Sequence, residues 1–116
     1  MNMETAVRTV FSKYATFSGR AGRAEYWYFY LFVCILMVST FLFVHLILND
    51  HVFLLSAVAL SLVIPHLAVS VRRLHDINKS GWLFLLILIP FAPFLLIYWF
   101  CCEGTLGANR FGEQSL

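Results

Sequence analysis

The sequence predicts an all-α, polytopic transmembrane protein, and three observations predict it: apolar runs of spanning length, a composition that leaves little for a soluble core, and basic residues sorted to one side of the runs. The runs are Tyr26 to Asn49, His51 to Val71 and Ser80 to Cys102, and none contains Asp, Glu, Lys or Arg. At about 1.5 Å rise per helical residue, each covers much or all of the roughly 30 Å hydrocarbon core. A helix satisfies its own backbone hydrogen bonds in lipid, whereas an open sheet cannot. With 61% hydrophobic and 12% charged residues, too little chain remains for a second core, so a single membrane domain over 1–116 is expected.

The elements follow in order. Val7, Val10, Phe11 and Tyr14 recur at helical spacing with Arg8 and Lys13 on other faces, which predicts an interfacial amphipathic helix over 4–17. Ser18 and Gly19 end it. Spans are expected at 26–48, 52–71 and 82–102, followed by a tail at 103–116. A secretory signal is a poor reading of the first run, which starts about 25 residues in and lacks a small-residue cleavage site. Ser80 and Gly81 read as an N-cap and tight turn into the third run. That run carries Pro90 and Pro93, each lacking an amide donor, so the first expectation is a full crossing kinked there. The alternative is a re-entrant hairpin, whose turn needs cover from protein or water.

Charge placement gives the orientation. Arg8, Lys13, Arg20 and Arg23 precede the first run, and Arg72, Arg73 and Lys79 separate the second from the third. The connection at Asn49, Asp50 and His51 has no Lys or Arg, and only Arg110 follows the third run. By the positive-inside rule the N-terminus and the second connection are cytoplasmic.

Three dense polar signatures lie outside the runs: Phe17-Ser18-Gly19-Arg20-Ala21-Gly22-Arg23-Ala24-Glu25-Tyr26-Trp27, then Arg72-Arg73-Leu74-His75-Asp76-Ile77-Asn78-Lys79-Ser80-Gly81-Trp82, then Gly104-Thr105-Leu106-Gly107-Ala108-Asn109-Arg110-Phe111-Gly112. In this order and with these spacings the chain resembles the bacterial inner-membrane family called domain of unknown function 805, over nearly its whole length. It departs from the pattern with Ile77-Asn78 where Thr-Gly is common, Leu83 where a second Trp is common, and no proline after Gly112. The resemblance implies a multi-pass inner (plasma) membrane protein and brings no reaction with it.

Arg20, Arg23, Arg72, Arg73 and Lys79 are expected to form a basic rim at the cytoplasmic interface, suited to an anionic headgroup such as cardiolipin or to an acidic partner segment. The plainer reading is topology signals and ion pairs. Glu25 and Asp76 supply structural counter-charges, with Glu25 expected to pair with Arg72 or Arg73. Tyr26, Trp27, Tyr28, Trp82, Tyr98 and Trp99 fall near span ends, where amphipathic rings favour the headgroup region.

Chemistry is poorly supplied. No carboxylate lies within a run, which argues against ion-coupled transport. His45 and His66 differ in depth by roughly 15 Å at helical rise, too much for one site. His45 is expected to bond another helix, and His66 to bond a carbonyl freed by Pro65. The His75-Asp76 doublet lacks the further ligands a metal-dependent phosphohydrolase needs, and a metal at His45, Asp50 and His51 is equally weak. Cys34, Cys101 and Cys102 form neither a zinc pattern nor a disulfide framework. No catalytic, cofactor-binding or metal residue is therefore assigned, and the chain reads as a non-enzymatic lipid- or protein-binding module. Its expected partners are membrane lipids, a second copy or another membrane protein, with no nucleic acid. A small oligomeric transporter subunit ranks second and a membrane enzyme third.

Overall fold

The computed structural model describes residues 2–49 and 53–114, and among these it is helical with no strand beyond an Asn109–Gly112 backbone pair. Helix α1, Met3–Ser12, starts where the Asn2 side chain accepts the Thr5 amide at 2.8 Å. It ends earlier than the sequence predicts, because the Lys13 amide folds back onto the Thr9 and Val10 carbonyls and the chain turns. Ala6 and Val10 are buried, and Phe11 meets Phe29 and Phe32 edge-on at 5.7 and 6.2 Å, so α1 packs along α2.

Helix α2, Arg23–Phe43, continues as a π-turn through Leu48, and α3 spans Phe53–Asp76. Both are long and apolar enough to cross a membrane, with mean hydropathies of 2.7 and 2.1 over their most apolar stretches. The connection carrying Asp50 and His51 lies outside the described residues. Helix α3 runs past Val71, the expected end, because Arg72, Arg73, His75 and Asp76 are all buried at its terminus with partners from elsewhere in the chain.

Pro65 removes one amide from α3 and so frees the carbonyl of Ser61, four residues earlier. The Tyr14 hydroxyl takes that carbonyl at 2.7 Å. His66, expected to fill this role, does not: its ring sits 6.1 to 6.2 Å from those of Tyr26, Phe29 and Tyr30. Its Nδ1 has no hydrogen-bond partner among the described residues. Among the described residues no hydrogen bond joins His45 to another helix, and its ring stacks on Phe41, one turn earlier, at 5.8 Å.

The third run corrects the first expectation. It forms a 3-10 helix at Gly81–Leu88, a break at Ile89–Phe91, and α4 at Ala92–Cys101. Two prolines three residues apart remove two donors from one turn, so the break is complete and not a kink. Phe91 turns the chain with a left-handed φ of 68°. Gly81 abuts Val71, where an added Cβ would meet Cγ1 at 2.6 Å, and α4 returns to place the Phe100 carbonyl against Arg73 of the same helix. The run is thus a hairpin with both feet at the C-terminal end of α3. Its arms are about 16 Å of 3-10 helix and about 15 Å of α-helix, each about half the length that a full crossing needs.

Candidate functional site: a polar knot that joins three motifs

The ends of α2, α3 and the hairpin meet in one cluster, and Asp76 is at its centre. Arg20 Nε donates to Asp76 Oδ1 and Arg73 Nη1 to Oδ2, both at 2.9 Å, with all three side chains at most 2% exposed. Neither guanidinium depends on the carboxylate alone. Arg20 also donates to the carbonyls of Thr105, Gly107, Gly112 and Asp76, at 2.6 to 3.3 Å. An arginine presents five donors in a planar fork, which suits it to gather a loop of carbonyls.

Arg73 gathers the end of α4 instead. It donates to the Phe100 carbonyl at 3.2 and 3.3 Å and to that of Cys102. The Trp27 indole also donates to Phe100, at 3.0 Å, and Arg23 to the Cys101 carbonyl at 3.3 Å. Helix C-termini leave carbonyls without intrahelical partners and carry partial negative charge, so cations there are stabilising. Side chains from α2 and α3 therefore cap the helix that returns to them.

The tail closes the cluster from outside. The Thr105 amide donates to the Asp76 carbonyl at 2.7 Å, and Asn109 Nδ2 to the His75 carbonyl at 3.0 Å. Gly104 lies so close to the Asp76 carboxylate that an added Cβ would overlap it. His75 holds the first motif through Nδ1 on the Gly19 carbonyl at 2.9 Å. Its ring stacks on Phe111 at 4.0 Å and 3°, while the Arg110 guanidinium covers Phe111 at 4.8 Å. Asn78 adopts a φ of 61°, a conformation that favours Gly or Asn.

Glu25 makes a separate pair. Arg72 Nη1 donates to its Oε2 at 2.5 Å, with side-chain exposures of 0% and 7%. Arg72, not Arg73, is thus the partner within reach, and it ties α3 to α2. Its Nε and Nη2 have no partner among the described residues.

The five cations do not form one open rim. Arg20, Arg72 and Arg73 are buried and spend donors on internal acceptors, because the carbonyl-rich tail and the returning helix arrive at their level. Arg23 is exposed, and Lys79 is half-buried with its ammonium 4.9 Å from the Trp99 ring centre. Sequence reasoning missed Thr105, Asn109 and Phe111 as members of the cluster; the density of polar and glycine residues in the third motif was the available signal. Among the described residues no group of three or more His, Cys, Asp or Glu is placed to hold a metal ion.

Comparison with known proteins gives the same three-motif unit a lineage. A family profile described as "Protein of unknown function (DUF805)" matches residues 14–113, from the first motif through the third. The inner membrane protein YhaI of Escherichia coli K12 is 42% identical over 108 residues, covering 91% of each chain. The inner membrane protein YhaH of the same strain is 40% identical over 116 residues, covering 90% of this chain and 91% of its own. No solved structure matches. The match runs across all the residues that build the knot, and the chain belongs to the DUF805 family of inner membrane proteins.

Proposed function

We propose that the chain is a non-enzymatic, multi-pass interaction module of the bacterial inner membrane, in which two crossings and a re-entrant hairpin present the hairpin tip to a second copy of the chain inside the bilayer. The observation that carries this is Phe91. It holds a φ of 68°, and the residue is 83% exposed. A bulky residue in the left-handed region costs on the order of 1–3 kcal/mol, which Gly would avoid. Among the described residues the ring is left largely exposed, which supports a benefit that lies outside the chain. The tip also breaks the helical hydrogen-bond ladder at mid-membrane depth, where irregular backbone is tolerated only under protein or water cover. A second copy supplies protein cover.

Orientation follows from the same hairpin. If the third run returns, Arg110 joins the seven other Lys and Arg residues on one side, and the positive-inside rule assigns that side to the cytoplasm. The test of the interaction is subunit counting by single-molecule photobleaching in lipid vesicles at decreasing protein-to-lipid ratio. The wild type is expected to form dimers or higher species. Phe91→Gly is expected to weaken association at least tenfold without lowering thermal stability in detergent. A wild type that stays monomeric at every ratio, or a Phe91→Gly variant that associates equally well, overturns the reading; a partner other than a second copy would give the first of these results.

A further inference from the structure

A second feature lies at the base of the hairpin, away from its tip. Leu67 and Val71 of α3 face Trp82, Phe84 and Leu85 of the 3-10 helix across a groove of about 570 Å³, closed at the knot end by the stacked rings of His75 and Phe111. That volume is within the roughly 300–1,000 Å³ usual for small-molecule sites. The groove extends about 12 Å along α3 from Leu67 to His75, at helical rise. No carboxylate lines it. At its closed end the exposed Arg110 lies over Phe111 and, among the described residues, makes one hydrogen bond, to the Asn78 carbonyl at 3.3 Å, which leaves further donors of its fork for a ligand.

An apolar trough within membrane depth, ending beneath a cation at the headgroup level, is complementary to an amphiphile. We infer that this groove is a binding site for one acyl chain of an anionic phospholipid, whose phosphate is held by Arg110. The apolar walls select a chain and the guanidinium selects a phosphate, with geometry that suits bidentate contact. The site is distinct from the buried arginines of the knot. It also does not depend on whether the hairpin tip binds a second copy.

The experiment is native mass spectrometry of the full chain released from mixed detergent micelles containing phosphatidylglycerol and phosphatidylcholine with identical acyl chains. The wild type is expected to retain phosphatidylglycerol about fivefold over phosphatidylcholine, since a basic side chain near the surface contributes on the order of that factor. Arg110→Gln should abolish the preference and Arg110→Lys should restore most of it. Leu67→Trp, which fills the groove, should reduce retention of both lipids while thermal stability shows that the fold is intact. Free glycerol phosphate in excess should not displace the lipid, because it lacks the chain. Equal retention of the two lipids by the wild type, unchanged preference in Arg110→Gln, or full displacement by glycerol phosphate would each overturn the assignment.

Discussion

Asp76→Asn tests the centre of the knot. The substitution keeps the shape but removes the charge, and it puts an amide donor where one guanidinium now finds an acceptor. Both Arg20 and Arg73 contact this carboxylate, and the side chains involved are at most 2% exposed. Removing one partner from a buried ion pair costs about 3–5 kcal/mol, because the remaining charge is left without compensation. The carbonyls of Thr105, Gly107, Phe100 and Cys102 continue to solvate the two cations, which places the expected loss near the lower figure, about 3 kcal/mol. That is about a hundredfold in the folding equilibrium. Equilibrium unfolding in mixed micelles, followed by tryptophan fluorescence, reads the loss. The tail should detach with it, since Thr105 and Gly104 sit directly on Asp76; a thiol introduced by Thr105→Cys should become reactive in the Asp76→Asn background. A loss below about 1 kcal/mol with an unreactive thiol would show that the carbonyls alone hold the arginines, and the reasoning about the shared carboxylate would fail.

Three further outcomes are expected. Glu25→Gln and Arg72→Gln should each destabilise the protein in detergent, and the double variant should lose less than the sum, because the two side chains share one contact; strict additivity would mean that they act separately. Tyr14→Phe should cost about 1 kcal/mol by leaving the Ser61 carbonyl unpaired, and nothing in a Pro65→Ala background, where the restored amide takes that carbonyl; an equal cost in both backgrounds would assign the hydroxyl another role. In intact cells with native thiols removed, single cysteines at Asn78 and Ala108 should both resist an impermeant reagent, while one at Asn49 reacts; labelling at position 108 alone would restore a full third crossing.

The two candidate spans were legible because bilayer thickness is a length constraint that a run of uncharged residues meets or does not. The hairpin was legible only as the alternative that Pro90 and Pro93 raise, because Ser80 to Cys102 has the same composition whether it runs on or turns back. What decides is the return of the Phe100 carbonyl to Trp27 and Arg73, 73 and 27 residues away in sequence. The burial of three of the arginines was hidden for a related reason. An arginine beside an apolar run is exposed by default, since its burial needs acceptors that the neighbouring sequence does not show. For Arg20 those acceptors come from Thr105, Gly107 and Gly112, more than 80 residues downstream. Pro65 was read correctly as freeing a carbonyl, but the nearest polar side chain in sequence, His66, was the wrong donor; α1 folds back and brings Tyr14 instead.

The burial of these arginines and the return of the third run have a common physical basis. A helix that returns to the side it left must end there, and its last carbonyls then need donors at the level of the headgroups. The side favoured for basic residues during insertion is the one that supplies such donors. Tyr98 and Trp99 carbonyls are taken by Cys102 through its thiol and amide, while those of Phe100 and Cys101 are taken by Arg73, Trp27 and Arg23. Four consecutive orphan carbonyls are thus satisfied, two of them by side chains that the first and second motifs carry. Arginines that the positive-inside rule counts also cap the returning helix, so replacing Arg23 or Arg73 with a neutral residue is expected to alter topology signal and helix end together, whereas Arg8, whose guanidinium pairs with Glu4 at 2.7 Å, lies away from these contacts.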